Sequence, residues 1–145
     1  MIDQNVFAIS QGQQRKVALA SILILNQDVL VFDEPTVGLD YQTKLALTNI
    51  IKKLKEQNKI IVIVSHDFDW LYSLCSQCIW LDHCQIKNAC SCPRFFFNQE
   101  LVTTFNHVPF MVKLLNEYEQ QTNTLIENKT KYLTLTDFLK DHHLL

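Results

Sequence analysis

The sequence is poor in glycine: its 145 residues include only Gly12 and Gly38. A loop that cradles nucleotide phosphates with the pattern G-x-x-x-x-G-K-[ST] needs two glycines followed by a lysine and a hydroxyl side chain. No segment of the printed sequence has this pattern. We therefore expect the chain by itself to bind nucleotides very weakly.

Charge of one sign and long apolar runs are also scarce. The net charge of −2 argues against the concentrated basic face of a nucleic-acid-binding protein, so we expect no nucleic-acid partner. The longest apolar run, VALASILIL at 17–25, is about half of the roughly 20 residues that a membrane span needs. The first residues, MIDQN, show no basic segment before an apolar one. We expect a cytoplasmic chain that reaches a membrane only through a partner.

Cysteine is more abundant, and its positions are clustered. Five cysteines lie at 75, 78, 84, 90 and 92, with His83 among them. The spacing matches no usual zinc-finger pattern. We interpret these residues as reduced thiols on a helix, a strand and a loop, with Cys78 packed as a small hydrophobic side chain. A zinc site or disulfides are the alternative.

The apolar residues, 48% of the chain, suffice for the core of about one domain. Their periodicity predicts helices over 11–25 and 42–56, the first burying Val17, Ala20 and Leu23. Two continuous apolar runs, 29–33 and 60–64, predict strands that are buried on both faces. A strand, a helix and a strand at this spacing predict a parallel pair. We attribute the abundance of Asn and Gln to genome composition or surface bias.

The rest of the chain predicts smaller elements. Residues 67–76 predict a short helix, and 78–82 with 85–89 predict a hairpin. Helical patterns near 98–121 and 134–142 follow a change of character near residue 93. We therefore divide the chain into residues 1–92 and a helical region, 93–145.

Two carboxylates end the first predicted strand, in VLVFDEPTVGLD at 29–40. A buried strand that ends in Asp33 and Glu34 costs free energy because both charges must leave water. In a parallel pair these residues share an edge with Ser65 and His66, and ligands bind at that edge of α/β sheets. Each residue alone also has a structural explanation, as a turn, a helix cap or a surface histidine.

The segment ISQGQ at 9–13 opens the first helix. Ser10 and Gln13 form a capping-box pattern. A helix N-terminus also favours a bound anion, because its N–H groups have no partner within the helix. A simple cap is the alternative explanation.

Four segments together resemble ABC-type ATPases. ISQGQ is similar to the family's LSGGQ signature, VLVFDE to Walker B, GLD at 38–40 to the D-loop, and His66 to the H-loop histidine. The resemblance covers residues 6–90. It implies an α/β fold, namely part of a P-loop NTPase (RecA-like, ABC-type) with a parallel sheet, flanking helices and a C-terminal helical region. ATP and Mg²⁺ are the implied cofactors.

The resemblance implies a role for each residue of the strand ends. Asp33 would hold a water-coordinated Mg²⁺, which prefers carboxylate oxygen. Glu34 would act as general base on the attacking water, and His66 would sense the γ-phosphate.

The other matched residues would act across a pair of subunits. Ser10, Gln11, Gly12 and Gln13 would face the ATP held by the opposite subunit, and Asp40 would lie at the seam between the subunits. Gln11 stands where the family usually has glycine. Its backbone N–H is retained, but its side chain narrows the approach to phosphate.

The C-terminal region resembles one branch of the family. Residues 95–115 and 133–145 are similar to segments of the A-components of energy-coupling-factor and cobalt-type importers. This implies a second ABC ATPase subunit and a membrane-embedded transporter component as partners, at the inner face of the cell membrane. The alternative is an amphipathic helix that packs on its own domain.

We therefore expect an ATP-binding and ATP-hydrolysing subunit of an energy-coupling-factor-like importer, present as an N-terminally truncated fragment that is inactive alone. Three alternatives stay open. The chain could be a non-catalytic module that supplies its signature motif to a complete ATPase, an inactive product of a split or decayed gene, or an ABC ATPase outside transport.

Overall fold

The computed structural model describes residues 8–142 of the chain. The chain folds as two compact units, one ending at His66 and one beginning at Asp67. The boundary that we placed near residue 93 stays a prediction about domain organisation.

The first unit alternates helices and strands. Its elements are α1 (Gln11–Ile24), β1 (Val29–Asp33), α2 (Tyr41–Glu56) and β2 (Ile60–Val64). Strands β1 and β2 are parallel, in a register that runs from Val29 opposite Ile60 to Asp33 opposite Val64. The predicted strand–helix–strand arrangement and parallel pairing are confirmed.

The two-stranded sheet of this unit is covered on one face only. Leu30 and Phe32 of β1 are buried, as are Leu47 and Ile51 of α2. The opposite face exposes a set of aliphatic side chains: Val29, Val31, Ile60, Val62 and Val64. Our prediction of strands buried on both faces is therefore wrong for the described residues. A continuous apolar run shows that both faces can be covered, but it does not supply the element that covers the second face.

Helix α1 also differs from expectation. Val17 and Ala20 are exposed, and Leu23 is only half-buried, although all were predicted to be buried. The helix begins where the capping box predicted, because Ser10 and Gln13 bond to each other at its start.

The second unit begins with a helix and a hairpin. Helix α3 (Phe68–Leu74) precedes β3 (Gln77–Asp82) and β4 (Gln85–Ser91), which pair antiparallel. His83 and Cys84 join them with φ of 46° and 59°. Positive φ at both central residues is the requirement of a type I′ hairpin turn. The predicted hairpin is confirmed.

Helices complete the second unit: α4 (Cys92–Phe96), α5 (Gln99–Phe105), α6 (Phe110–Thr122), a 3₁₀ turn (Lys129–Lys131) and α7 (Leu135–Asp141). The helical pattern predicted near 98–121 is two helices, because Asn106 ends α5 in the left-handed region and Pro109 stands at the N-cap position of α6. Their core is rich in aromatic side chains, among them Tyr72, Phe95, Phe96, Tyr132 and Phe138. The hydroxyl of Tyr72 donates to the carbonyl of Tyr132 at 2.8 Å.

Asparagine takes over much of the role that glycine has in other chains. Five asparagines adopt left-handed backbone conformations: Asn26, Asn58, Asn106, Asn123 and Asn128. Asparagine tolerates this region better than most residues because its short side chain bonds locally. The abundance of asparagine thus has a structural component that our attribution to composition missed.

Within residues 8–142, no helix is both long enough and apolar enough to cross a membrane.

Candidate functional site

The ends of β1 and β2 form one edge, made of Asp33, Glu34, Ser65 and His66, which we call the carboxyl edge. The register places Asp33 opposite Val64. The backbone N–H of Glu34 then continues the ladder by donating to the carbonyl of Val64 at 2.8 Å. The two predicted strand-end pairs therefore meet, as expected from parallel pairing.

The carboxylate of Glu34 is held by the segment that follows β2. Ser65 Oγ donates to one carboxylate oxygen, Oε2, at 3.2 Å. The backbone N–H of His66 donates to the other, Oε1, at 3.0 Å. The predicted general base is thus fixed by two hydrogen bonds from the neighbouring strand end. Its side chain remains 30% exposed, so water can reach it.

Glu34 also has an unusual backbone. Its φ is 44°, in the left-handed region where a non-glycine residue costs about 1–3 kcal/mol. Such conformations persist where surrounding contacts enforce them, and they cluster at functional sites. Here the ladder bond to Val64 and the bonds from Ser65 and His66 supply those contacts.

The side chain of His66 is 94% exposed, and its Nε2 lies 3.6 Å from Glu34 Oε1. The imidazole of His66 therefore lies beside the Glu34 carboxylate, and the backbone N–H of His66 orients that carboxylate. The structure brings together both residues predicted to be catalytic.

Asp33 presents an exposed carboxylate at the end of β1. Among the described residues, no group of three or more His, Cys, Asp or Glu side chains could hold a metal ion. Mg²⁺ does not require such a cage, because it is usually bound by one or two carboxylates together with water and substrate phosphates. Asp33 fits that mode of binding, in which one carboxylate shares the ion with water and substrate phosphates. The described residues do not fit a cage of several protein ligands.

Asp40 caps α2. Its Oδ1 accepts the backbone N–H of Thr43 at 2.7 Å. This hydrogen bond holds the pKa of Asp40 below its usual value. Sequence reasoning missed the cap, although an aspartate three residues before Thr43 at a helix start is its usual signal. The predicted place of Asp40 at a subunit seam stays a prediction.

The signature-like residues lie at the start of α1. Ser10 Oγ accepts the backbone N–H of Gln13 at 3.3 Å, and the Gln13 side chain accepts the backbone N–H of Ser10 at 3.0 Å. Ser10 and Gln13 thus bond to each other rather than to Glu34 or His66. Gln11 begins the helix. A Cβ added to Gly12 would meet nothing within 4 Å, so the chain's own packing does not require glycine there.

Sequence reasoning assigned no role to Ser65, whose hydroxyl donates to the carboxylate of Glu34. Its position directly after a strand that ends beside two carboxylates was the available signal. An open cleft of about 210 Å³ also lies in this unit, but Leu23, Leu30 and Leu54 line it, and Glu34 does not.

The chain is similar to ATP-binding proteins of transporters. The chain is 33% identical to the energy-coupling factor transporter ATP-binding protein EcfA2 of Staphylococcus aureus, over 94% of this chain and 47% of that protein. It is 36% identical to a homologue of an ABC transporter ATP-binding protein in Mycoplasma pneumoniae, over 94% of this chain and 39% of that protein.

A solved structure and a family model extend the comparison. The structure of cbiO1 from Clostridium perfringens, part of the ABC transporter complex cbiONQ, matches with a TM-score of 0.56 and 26% identity, over 79% of this chain and 46% of that one. A family model for an AAA domain matches residues 3–69, and its description names the AbiEii toxin of type IV toxin–antitoxin systems. The chain spans about half the length of the S. aureus relative. Its α/β fold is that of ABC ATPase domains.

Proposed function

Because this chain is homologous to the ATP-binding subunits of ABC transporters, we propose that it supplies the catalytic edge of an ABC-type ATPase. The observation that carries the proposal is the Glu34 carboxylate, fixed by Ser65 and His66 at the carboxyl edge with Asp33 beside it. An ordered, partly exposed carboxylate in a strained backbone suits a general base better than a structural cap.

The proposed chemistry is hydrolysis of ATP. Glu34 accepts a proton from the attacking water, an effect usually worth about 10²–10⁴ in rate. His66 positions the terminal phosphate through its exposed imidazole. Asp33 would hold Mg²⁺, and the cation would supply neutralisation of the phosphate charge.

The signature-like residues act on a second nucleotide site. The N–H groups at the start of α1 favour an anion, and the open space at Gly12 leaves room for one. The capping bond uses the Ser10 oxygen as an acceptor, and a hydroxyl can donate its proton at the same time. We propose that Ser10, Gly12 and Gln13 contact ATP held by a partner subunit, with Gln11 narrowing the approach and Asp40 at the seam.

The proposed setting is an importer of the energy-coupling-factor type. The similarity to EcfA2 extends over 94% of this chain and therefore includes most of the C-terminal region. We propose a second ATPase subunit and a membrane-embedded component as partners, with the chain at the inner face of the cell membrane. The phosphate-cradling loop, which this sequence does not contain, would come from another segment or polypeptide, so the chain alone is inactive.

The test joins this chain to the part of S. aureus EcfA2 that this chain does not match, about half of that protein, and measures hydrolysis of Mg²⁺–ATP. We expect hydrolysis by the chimera and a loss of about 100-fold or more on Glu34→Gln. Glu56→Gln is the matched control, because Glu56 is an exposed glutamate at the end of α2. A folded chimera that binds ATP and hydrolyses it equally fast with Glu34→Gln would refute the proposal.

A second candidate follows from the missing phosphate loop: a non-catalytic module that lends its signature to a complete ATPase. The two functions need different residues. A module requires Ser10 but not Glu34, so its stimulation of a complete partner would be lost on Ser10→Ala and kept on Glu34→Gln. The catalytic proposal expects both substitutions to reduce hydrolysis.

A further inference from the structure

Four of the five cysteines meet on one side of the hairpin in the second unit. Cys92, at the start of α4, is fully buried in the core of this unit, and Cys75, Cys78 and Cys90 pack against that core. The fifth, Cys84, is exposed in the hairpin turn. The ATPase proposal uses none of these thiols.

The strand register places two of these cysteines directly opposite each other. Cys78 of β3 pairs with Cys90 of β4. Opposed residues in an antiparallel pair have Cα atoms about 4.5–5.5 Å apart, and a disulfide needs about 4.4–6.8 Å. Their side chains also point to the same face of the hairpin, as opposed residues do. The backbone thus already has the spacing of a cross-strand disulfide.

The thiol of Cys92 lies beside the thiol of Cys78. A hydrogen bond from the Cys92 thiol lowers the pKa of Cys78. The same Cys92 thiol can instead donate to the carbonyl of Leu71, 3.4 Å away. Cys92 begins α4 and lies outside the paired strands, so it has no opposite position in the register that joins Cys78 to Cys90.

Cys90 is accessible from outside. It lines an open cavity of about 500 Å³ together with Asn88, Arg94 and Asn98. Burial and the neighbouring Cys78 raise the pKa of the Cys90 thiol. A small oxidant or reductant can therefore reach the pair from solvent.

We propose that Cys78 and Cys90 are an oxidation site, which a hydroperoxide converts to a reversible cross-strand disulfide. The Cys78 thiolate attacks the peroxide, so that an S–O bond forms, the O–O bond breaks and water or an alcohol leaves. The resulting sulfenic acid is attacked by Cys90, the S–S bond forms, and the hydroxyl leaves as water with the Cys90 proton. Two thiols are oxidised by two electrons, and the hydroperoxide is reduced by two.

The test treats the reduced full-length chain with hydrogen peroxide, blocks the remaining thiols with iodoacetamide, and maps linked peptides by mass spectrometry. We expect two fewer alkylated thiols than the five of the reduced chain. The linked peptides should join Cys78 to Cys90, and dithiothreitol should reverse the change. Cys84→Ser is the matched control and should leave the link intact, because it removes only the exposed thiol in the turn.

Cys90→Ser provides the second readout. It should abolish the link and leave a sulfenic acid on Cys78 that dimedone traps. Oxidation that falls first on Cys84, or a wild-type link from Cys78 to Cys75 or Cys92, would overturn the proposal. So would a Cys90→Ser chain in which dimedone labels no Cys78.

Discussion

Tyr72 ties the start of the second unit to its C-terminal segment, and its removal gives a quantitative prediction. The side chain is 1% exposed, and its hydroxyl donates to the Tyr132 carbonyl at 2.8 Å. Tyr72→Phe keeps the ring and removes that bond. Leaving a buried carbonyl without its partner costs about 1–3 kcal/mol. For a unit of this size, each kcal/mol lost from the free energy of unfolding lowers the midpoint temperature of thermal unfolding by about 4–8 °C.

The same substitution has a pH dependence with a definite sign. Burial raises the pKa of Tyr72 to about 12 from its ordinary value of 10.0. The folded protein therefore retains the Tyr72 proton to a higher pH than the unfolded chain does. The resulting contribution to the free energy of unfolding is complete below pH 10 and is lost as pH rises toward 12. At pH 11 the wild type has lost about 1 kcal/mol through this residue. Tyr72→Phe cannot lose it, so the two proteins differ less in stability at pH 11 than at pH 8.

Tryptophan fluorescence measures this directly, because the only two tryptophans, Trp70 and Trp80, both lie in the second unit. Urea unfolding at about pH 8 and pH 11 gives the four free energies of unfolding. Tyr41→Phe removes a hydroxyl from a 75% exposed side chain, so it should leave the free energy of unfolding unchanged at both pH values. A gap between wild type and Tyr72→Phe that is equal at both pH values would refute the assignment of a raised pKa to Tyr72.

Three further predictions concern other contacts. Bonds from Lys129 and from a backbone N–H depress the pKa of Glu119 below 4.5, so its contribution is present above that pH and lost below it. Glu119→Gln should therefore flatten the fall of stability between about pH 5 and pH 3 in urea unfolding, and an unchanged slope would contradict this. Ser65→Ala removes the hydrogen bond to Glu34 and should lower the free energy of local opening around the carboxyl edge by about 1 kcal/mol. Hydrogen exchange at the His66 amide should therefore become faster. Replacing His83 and Cys84 by Asn and Gly, which tolerate positive φ, should raise thermal stability by about 1 kcal/mol, and a lower midpoint would count against the turn.

Much of the local structure could be predicted because local signals specify it. Apolar runs and the polar residues between them predict the strands at 29–33 and 60–64 and the hairpin around His83. The structure confirms these elements. The Ser10 capping box could likewise be predicted, since both of its partners are close in sequence. The meeting of Glu34 with His66 followed from parallel pairing alone.

The features that escaped prediction depend on tertiary neighbours. The exposed face with Val31 and Val62 is apolar in sequence, and periodicity does not say whether anything covers it. The left-handed backbone of Glu34 is set by its bonds to the other strand. The opposition of Cys78 and Cys90 depends on a register shift between Trp80 and Leu81, which the strand boundaries predicted from the sequence do not contain.

The central claim is that Glu34 is the general base of an ATP-hydrolysing edge. The most direct test is the ratio of Mg²⁺–ATP hydrolysis rates for Glu34→Gln and Glu56→Gln in the chimera with the part of EcfA2 that this chain does not match, at saturating ATP. We predict a ratio of about 1:100 or lower, with ATP binding unchanged. Equal rates in two variants that are both folded and bind ATP would contradict the claim.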